Sequence, residues 1–480
     1  MKNIKYIWLL LVFAVFTACE NDDDSTTTTP LVELTAGSAN FSNFVSIGNS
    51  LTSGFTDNAL FIAAQNNSFP NTLASKFALV GGGSFTQPLM NDNVGGFLFG
   101  GQPDPNGGFG PRLYFDGTGP TQLPAMSSTE VFAPSVGAQN NMGVPGAASF
   151  HLLFDGYGDP ANLPLGLANP YYVRMASAPN ATILGDALAQ GPTFVSLWIG
   201  NNDILGYATT GGDPSLGAIT PQATFDFSIS TIMGALQNSG VQGVMANVPY
   251  VTSIPYFTTV PYNPVPLDGS TAGLLNGAYG QYNAGLQLAL AGGFISAEEA
   301  EARTISFEAS ETNAMVLVDE TLTDLSALGL PSYRQSNAND LFVLPLASLI
   351  PSGYGTQIPL EDRWVLIPSE QDEIRTAIDG FNATLEGAAN TAGFAFVDAN
   401  AALQQLSNGG FADGDFILTG DLVTGGAFGL DGVHPTARGY ALIANLFLEA
   451  IDETYGSTFI ASGNNVNIGE FPTNYSPLLN

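Results

Sequence analysis

The sequence is short of the residue types on which several kinds of protein depend. Its 480 residues include one cysteine, Cys19, so no disulfide can form within the chain. Its only two histidines, His151 and His434, lie far apart. Together with a single cysteine they make no recognisable zinc motif. The sequence therefore predicts neither a metal centre nor a cofactor.

Basic residues are also scarce. Ten Lys and Arg residues stand against 42 Asp and Glu residues, which gives a formal net charge of −32. Such an acidic surface repels a phosphate backbone, so nucleic acid is excluded as an expected partner. What the chain does have is enough apolar sequence for a large core, with 45% hydrophobic residues, and many loops, indicated by 56 glycines and 30 prolines.

The amino terminus carries a short apolar run that ends before Cys19. Lys2 and Lys5 precede the apolar residues 6–16, which are too few to span a membrane and are followed by small residues. This pattern is typical of a secretory signal. The position of Cys19 resembles the lipobox of bacterial lipoproteins, in which the cysteine is acylated, so we expect residues 1–19 to be a lipoprotein signal peptide. A plain signal peptide with a chance cysteine is the alternative.

An acidic and threonine-rich segment follows this cysteine. Residues 20–24 resemble the acidic export tag of Bacteroidetes surface lipoproteins, with a solvated acidic linker as the alternative. Four consecutive threonines then indicate a flexible tether, which we place over residues 20–40. The expected location is the bacterial cell envelope, with the chain lipid-anchored to the outer membrane and exposed at the surface.

The first globular segment is a strand-like run that ends in a turn containing a serine. Phe44, Val45 and Ile47 are followed by Gly48, and Ser50 lies just beyond. Open α/β sheets bind their ligands at the carboxyl ends of strands, where this serine is predicted to lie. The segment is not a G-x-S-x-G nucleophile elbow, because Thr52 replaces the second glycine. Ser50 is a candidate nucleophile, and ordinary turn chemistry is the alternative.

An Asp-x-x-His-Pro sequence near the carboxyl terminus supplies the partners that such a serine needs. A serine hydroxyl is a poor nucleophile until a base removes its proton, and a carboxylate must hold that base in the right tautomer. Asp431 and His434 are three residues apart, so one loop can deliver both. With only two histidines in the chain, His434 is the candidate base.

Two further glycine- and asparagine-containing turns lie between these segments. Residues 141–149 form a glycine-rich turn that includes Gly146. Residues 193–199 are a continuous apolar run, typical of a strand buried on both faces of a parallel sheet, and Asn202 and Asp203 follow it. A helix after Thr220 and Pro221, a strand over 241–248, a helix over 371–392 and a strand over 394–397 complete a repeating strand–helix pattern. A shorter helix is predicted over 71–79.

The four turns occur in the order of the four sequence blocks of the SGNH (GDSL) hydrolases, and the chain resembles that family, with Asn49 in place of the usual aspartate. The resemblance implies a flavodoxin-like three-layer α/β/α sandwich with a five-stranded parallel sheet. It places an SGNH hydrolase domain over residues 41–455, with long insertions at about 81–134 and 249–368 and a carboxyl-terminal tail over 456–480.

The resemblance also implies roles for individual residues. Ser50 would attack an ester carbonyl to form an acyl-enzyme, His434 would carry the proton, and Asp431 would orient His434. The oxyanion would be held by the backbone N–H groups of Ser50 and Gly146 and by the side chain of Asn202. The expected activity is that of a serine carboxylesterase or lipase.

Several alternatives stay open at this point. The substrate can be a lipid or an acetylated glycan, so a polysaccharide O-acetyl esterase is one alternative, and a non-catalytic glycan-binding surface lipoprotein on the same fold is another. We predict that residues 81–134 are a lid or pocket wall, with a surface excursion that covers the sheet as the alternative. Asp203 is predicted to brace its turn, and His151 to be structural or to line the pocket.

Overall fold

Five parallel strands form the central sheet of the fold. A computed structural model describes residues 32–479, so the predicted signal peptide, Cys19 and most of the tether lie outside the described residues. The strands are β1 (Phe44–Gly48), β2 (Asn141–Gly143), β3 (Phe194–Trp198), β4 (Gln242–Ala246) and β5 (Ala395–Val397). Their spatial order is β2-β1-β3-β4-β5, and every neighbouring pair is parallel. This is the flavodoxin-like order, and it confirms the predicted fold class.

Helices cover both faces of this sheet. Side chains alternate along each strand, so Val195 and Leu197 of β3 enter one apolar core while Phe194 and Trp198 enter the other. The α-helices are α1 (Ser50–Ser53), α2 (Ile62–Asn66), α3 (Phe69–Phe77), α4 (Pro170–Val173), α5 (Ile183–Ala189), α6 (Asn202–Thr209), α7 (Gln222–Asn238), α8 (Pro255–Thr258), α9 (Gly269–Ala291), α10 (Ala297–Arg303), α11 (Pro368–Ala392), α12 (Ala399–Ser407) and α13 (Ala437–Tyr455). Helices α7 and α11 pack on the first core and α3 and α13 on the second, which makes three layers.

The elements begin within a few residues of their predicted positions. Helix α11 starts three residues earlier than predicted, because Pro368 fits the first turn of a helix and Glu370 caps it by accepting the N–H of Ile367 at 2.7 Å. Helix α7 starts one residue later. Pro221 takes the cap position, and Thr220 is bonded to Asp203 instead: its N–H donates to the carbonyl of Asp203 at 2.8 Å, and its side chain bonds the Asp203 carboxylate.

The first insertion contains two short antiparallel ribbons. They pair Leu98–Phe99 with Gln102–Pro103 and Leu113–Phe115 with Pro120–Gln122. Between them the fully buried Arg112 donates from Nε to the carbonyl of Asn93 at 2.8 Å and from a terminal nitrogen to the carbonyl of Ser476 at 2.6 Å. One buried guanidinium therefore joins this insertion to the carboxyl-terminal segment.

The compact unit extends beyond the predicted hydrolase domain at both ends, from Leu34 to the end of the described residues at 479. After α13, Phe459, Val466 and Ile468 are buried in the same core as that helix. The carboxyl-terminal segment is thus packed against the sheet layers rather than extended from them. Within residues 32–479, no helix has the length and apolar character needed to cross a bilayer.

The second insertion builds its own small core. Helices α8 to α10 lie within it, together with ribbons that pair Val316–Val318 with Tyr333–Gln335 and Leu341–Phe342 with Val365–Leu366. Leu286 of α9 and Phe307 are buried in a separate apolar cluster. Arg334 binds Asp319 and Asp340 through nitrogen–oxygen contacts of 2.6 and 2.7 Å. This segment, which the sequence left without a motif, is a folded module.

Candidate active site

Ser50 lies directly after β1, at the first residue of the short helix α1. Asn49 holds the turn from both ends of its amide: Oδ1 accepts the N–H of Leu51 at 3.0 Å, and Nδ2 donates to Oδ1 of Asn201 at 3.1 Å. An aspartate at this position would have no donor for the second bond. Asn49 is therefore matched by a local partner, and the two bonds hold the turn that presents Ser50.

Ser50, His434 and Asp431 are joined by a chain of hydrogen bonds. Ser50 Oγ lies 2.9 Å from His434 Nε2, and His434 Nδ1 lies 2.9 Å from Asp431 Oδ2. The His434 and Asp431 side chains are 14% and 9% exposed. Since the carboxylate accepts the Nδ1 proton, Nε2 is left as the acceptor for the serine hydroxyl. The structure thus brings Ser50 together with a base that is 384 positions away in the sequence.

The loop that carries Asp431 and His434 is fixed by its own backbone. Asp431 Oδ1 accepts the N–H groups of Val433 and His434, each at 2.9 Å. The N–H of Gly429 donates to the carbonyl of His434 at 2.7 Å, and α13 begins three residues later. These contacts hold the imidazole at a set distance from the carboxylate and from the turn of Ser50.

Asp431 is held in its ionised form. Burial alone would raise the pKa of this carboxyl, but the charge of His434 and the hydrogen bonds from His434 and Val433 outweigh burial, so the pKa lies below its usual value. The N–H of Asn58 adds a further bond to Oδ2 at 2.9 Å. An ionised carboxylate in this position favours the Nδ1–H tautomer and stabilises a protonated imidazole.

Both insertions support this loop. The N–H of Tyr256, in the second insertion, donates to the carbonyl of Gly432 at 2.9 Å. The N–H of Leu113, in the first insertion, donates to the carbonyl of Asp57 at 2.7 Å, and Oδ1 of Asp57 accepts the N–H of Leu430 at 2.8 Å. The loop is thus held from two sides by segments that are distant in sequence.

Asp57 is a residue of the site that the sequence reasoning missed. It is buried, and it adopts a left-handed backbone with φ of +52°, as does Asn58 with +62°. Burial raises the pKa of the Asp57 carboxyl to about 7, and the nearby charge of Asp431 adds to the rise. The only signal in the sequence was the Asp-Asn pair itself, since these residues tolerate left-handed backbone better than most.

The three predicted oxyanion donors lie at the ends of three adjacent strands. Ser50 follows β1, Gly146 follows β2, and Asn202 opens α6 after β3. Gly146 is exposed and has φ of +83°, a conformation that favours glycine. Asn202 Nδ2 donates to the carbonyl of Ala147 at 2.9 Å, which leaves its second N–H for another acceptor. Among residues 32–479, the N–H groups of Ser50 and Gly146 have no hydrogen-bond acceptor.

Asp203 and His151 have structural contacts. The carboxylate of Asp203 accepts the N–H and the hydroxyl of Ser149 at 2.8 and 2.7 Å, which ties the turn of Asn202 to that of Gly146. His151 Nδ1 accepts the N–H of Ala148 at 3.0 Å, and burial lowers its pKa to about 4. Its ring stacks on Tyr157, with ring centroids 4.3 Å apart. His151 therefore stays neutral and supports the local turn.

An apolar cavity opens beside Ser50. It runs past Asn202 and His434 into the layer formed by α12 and α13. Its lining also includes the start of the second insertion. The apolar lining residues are Leu51, Trp198, Leu205, Pro249, Val251, Ile254, Ala399, Ala402, Leu403, Leu406, Ala427, Phe428, Val433, Pro435, Gly439, Leu442, Ile443 and Leu446.

Residues 81–134 do not line this cavity, so the predicted pocket wall is wrong for this part of the site. None of the described residues in that segment borders the cavity. The segment approaches the site through a line of aromatic rings: Phe97 lies 4.7 Å from Tyr171, Tyr171 lies 6.4 Å from Phe55, and Phe55 lies 4.7 Å from His434, measured between centroids. Its contact with the imidazole is indirect because Tyr171 and Phe55 lie in between.

Three carboxylates away from the triad lie close enough together to hold a metal ion. Oxygen atoms of Glu320, Asp362 and Glu370 lie within 4.8 Å of one another. Burial, together with their mutual repulsion, raises the pKa of Glu370 to about 8 and that of Asp362 to about 6. Protons can therefore relieve the repulsion, and Glu370 is already bonded to the helix start at Ile367. The three residues do not line the cavity beside Ser50.

Comparisons with known proteins find distant structural likeness. No family model and no curated protein matches the chain. Among solved structures, an acetylxylan esterase from Geobacillus stearothermophilus is 11% identical, with a TM-score of 0.34 over 86% of this chain and 96% of that one. An alpha/beta hydrolase enzyme from the metagenome of Lake Arreo, Spain, is also 11% identical, with a TM-score of 0.32 over the same shares. At such identity and score, neither neighbour assigns an activity to this chain.

Proposed function

We propose that the protein is a serine ester hydrolase of the SGNH type that acts through an acyl-enzyme. The observation that carries the proposal is the continuous hydrogen-bond chain from Ser50 Oγ through His434 to Asp431, with both contacts at 2.9 Å. A hydroxyl, a base and an orienting carboxylate, hydrogen-bonded in this order, are the elements of a catalytic triad.

In the first half of the reaction, Ser50 Oγ attacks the carbonyl carbon of the ester. His434 Nε2 takes the hydroxyl proton as the new C–O bond forms, and Asp431 stabilises the resulting imidazolium. The imidazolium then gives that proton to the leaving alkoxide, the original ester bond breaks, and an alcohol departs. The acyl group remains on Ser50.

In the second half, water replaces the alcohol. His434 Nε2 removes a proton from the water as its oxygen attacks the acyl carbon, and the same proton returns to Ser50 Oγ when the acyl bond breaks. The products are a carboxylic acid and the free enzyme. The balance is one ester and one water consumed for one acid and one alcohol formed.

Three donors are available for the oxyanion in both halves. The N–H groups of Ser50 and Gly146 are not engaged with other described residues, and Asn202 keeps one amide hydrogen free of its bond to Ala147. Donors held by the surrounding structure in this way stabilise charge as it develops, at about 3–4 kcal/mol each. Asp203 maintains their spacing, because it joins the two turns that carry Gly146 and Asn202.

Turnover of p-nitrophenyl acetate and p-nitrophenyl octanoate by the full chain tests this proposal. We expect Ser50→Ala to lower kcat by at least about 10⁴ with an unchanged melting temperature. The matched control is Ser230→Ala on the exposed face of α7, which should leave kcat within about twofold. A glycan-binding protein without turnover would show no hydrolysis in either case, and that result would contradict the proposal.

We also propose that the chain is a surface lipoprotein anchored through Cys19. The proposal depends on the signal-like residues 1–19 and on the position of the only cysteine. Cys19→Ala should move the protein from the membrane fraction to the soluble fraction, because several acyl chains together hold a protein at a bilayer. Unchanged membrane retention in this variant would contradict the anchor without bearing on the esterase.

A further inference from the structure

Two helices contribute apolar faces to the lining of the cavity beside Ser50. Helix α12 lines it with Ala399, Ala402, Leu403 and Leu406, which are spaced as one helical face. Such faces normally interdigitate when helices pack. Here the first two of the four are alanines, and the short side chains leave space that longer side chains would fill.

Helix α13 also lines the cavity, with residues at the same spacing. Its lining residues are Gly439, Leu442, Ile443 and Leu446. Gly439 belongs to the first turn of the helix, just after His434, and Leu446 lies seven residues further, about 10 Å along the axis. The cavity therefore starts beside the imidazole and is lined for about two helical turns beyond it.

Polar groups are confined to the mouth of the cavity. Ser50, Asn201, Asn202 and His434 lie at that end, and no Asp, Glu, Lys or Arg occurs among the described residues of the lining. The indole N–H of Trp198 donates to the carbonyl of Asn247 at 3.0 Å, so its ring presents carbon to the cavity. Beyond the mouth, a ligand meets apolar side chains.

The cavity has an empty volume of ≈ 900 Å³, its mouth included. An apolar cavity of this kind fits a hydrocarbon chain better than a sugar ring, whose hydroxyls would lose their hydrogen bonds.

We propose that this cavity is an acyl-chain tunnel, and that the substrates are esters of unbranched fatty acids about eight carbons long. The length follows from about 10 Å of lining and an advance of about 1.2 Å per bond in an extended chain. The inference rests on the proposed esterase function and goes beyond it. An acetyl group would occupy only the mouth and leave the apolar part of the cavity unused.

The chain-length dependence of kcat/KM is the first test. For p-nitrophenyl esters of two to twelve carbons, we expect a rise of about fourfold for each methylene that enters the tunnel, so the octanoate ester exceeds the acetate ester by at least about 100-fold. Beyond about ten carbons the rise should stop, because the lining ends. A profile that is flat, or highest for acetate, would overturn the tunnel while leaving the esterase intact.

A pair of neighbouring alanines provides a matched test of position. Ala402 lines the cavity, and Ala401 on the same helix is exposed. Ala402→Leu should obstruct the tunnel and lower kcat/KM for octanoate at least about tenfold, with acetate turnover within about twofold of the parent. Ala401→Leu should change neither value. Retained acetate turnover shows that Ala402→Leu is folded, and an unchanged octanoate-to-acetate ratio in that variant would contradict the assignment.

Direct binding separates this inference from the proposed reaction. Sodium octanoate can be titrated calorimetrically into Ser50→Ala protein, which needs no turnover, and into the same protein with Ala402→Leu added. We expect octanoate to bind the first and to bind the second at least about tenfold more weakly, with acetate binding neither. If no ester is hydrolysed, octanoate binding still supports the tunnel; if octanoate does not bind, the tunnel is excluded even in an active esterase.

Discussion

The two sides of Ser50 differ in chemistry although they are built on the same sheet. On one side, the ends of β2 and β3 present Gly146, Asn202 and Asp203, which we call the polar flank; its groups are linked by hydrogen bonds. On the other, beyond the ends of β4 and β5, lies the apolar flank, which is the cavity lined by α12 and α13. The polar flank provides hydrogen-bond donors for the charge that develops in the transition state. The apolar flank provides apolar contacts for the part of the substrate that binds in the cavity.

This difference gives each flank its own kinetic signature. Fixed donors that meet charge only in the transition state change kcat for every ester. Apolar walls that touch a chain far from the reacting carbon act on binding and therefore on the choice among esters. Substitutions on the two flanks should consequently separate rate from selectivity.

Removing the base that both flanks share should have the largest effect. His434→Ala leaves Ser50 without a proton acceptor, so we expect kcat to fall by at least about 10⁴ for acetate and octanoate esters alike. His151→Ala replaces the only other histidine and should cost at most about tenfold, since that ring supports a turn. Near-parent turnover in His434→Ala, measured at saturating ester, would contradict its role as the base.

A change on the polar flank should lower the rate for all chain lengths equally. Asn202→Ala removes one donor, and we expect kcat to fall by about 10²–10³ with little change in KM. The ratio of octanoate to acetate turnover should stay within about twofold of the parent. An effect confined to KM would make Asn202 a substrate-binding residue and break the distinction between the flanks.

Asp57 accepts the N–H of Leu430 in the Asp431 loop. We expect its substitution to change the free energy of unfolding rather than kcat. Its pKa is raised from 3.8 to about 7 on folding, so the folded state holds a proton that the unfolded state releases. Stability from this group is accordingly highest below about pH 4, declines as the pH rises to about 7, and is level above that. An asparagine side chain at this position does not ionise, so it would not lose stability as the pH rises. Asparagine also tolerates the left-handed backbone.

The measurement for Asp57→Asn is urea unfolding at several pH values. We expect the variant to gain about 2–4 kcal/mol over the parent at pH 8, with the gain shrinking toward zero at pH 4. A difference that is the same at pH 4 and pH 8 would show that Asp57 does not take up its proton on folding.

A change deep in the apolar flank should have the smallest effect and act only on selectivity. Leu406 is the last residue of α12 that lines the cavity, and for Leu406→Ala the turnover of p-nitrophenyl acetate should stay within about twofold of the parent. Octanoate should lose about fivefold in kcat/KM because part of its chain loses contact. An equal loss for both esters, read from the same chain-length series, would mean that the flanks are not separable.

The active-site residues that follow a predicted strand in the sequence were predictable. Ser50 and Asn202 each follow an apolar run in the sequence, and parallel strands end at one edge of a sheet, so their convergence followed from the pattern. Gly146 follows no such run, and its place in the site was implied only by the resemblance to SGNH hydrolases. Asp431 and His434 were identifiable because so few histidines compete for the role. The parallel five-stranded sheet was implied by the resemblance to SGNH hydrolases, and it is confirmed.

What the sequence did not predict depends on contacts between distant segments. The cavity combines Trp198, Val251, Leu406 and Leu442, from four separate elements, and nothing local marks them as neighbours. Each of them reads as an ordinary core residue, and only the small side chains of α12 and α13 leave a space. The prediction that residues 81–134 form its wall relied on closeness in sequence to the turn of Ser50, which did not decide what lines the cavity.

Acylation of Ser50 with help from His434 is the step on which the proposed reaction depends. It can be detected by brief mixing of the full chain with p-nitrophenyl octanoate, followed by acid quench and mass spectrometry of peptides. We expect an added octanoyl group on the peptide that contains Ser50, with one equivalent of p-nitrophenol released in a burst, and neither in His434→Ala. Hydrolysis without any acyl group on Ser50, or acylation at another residue, would contradict it.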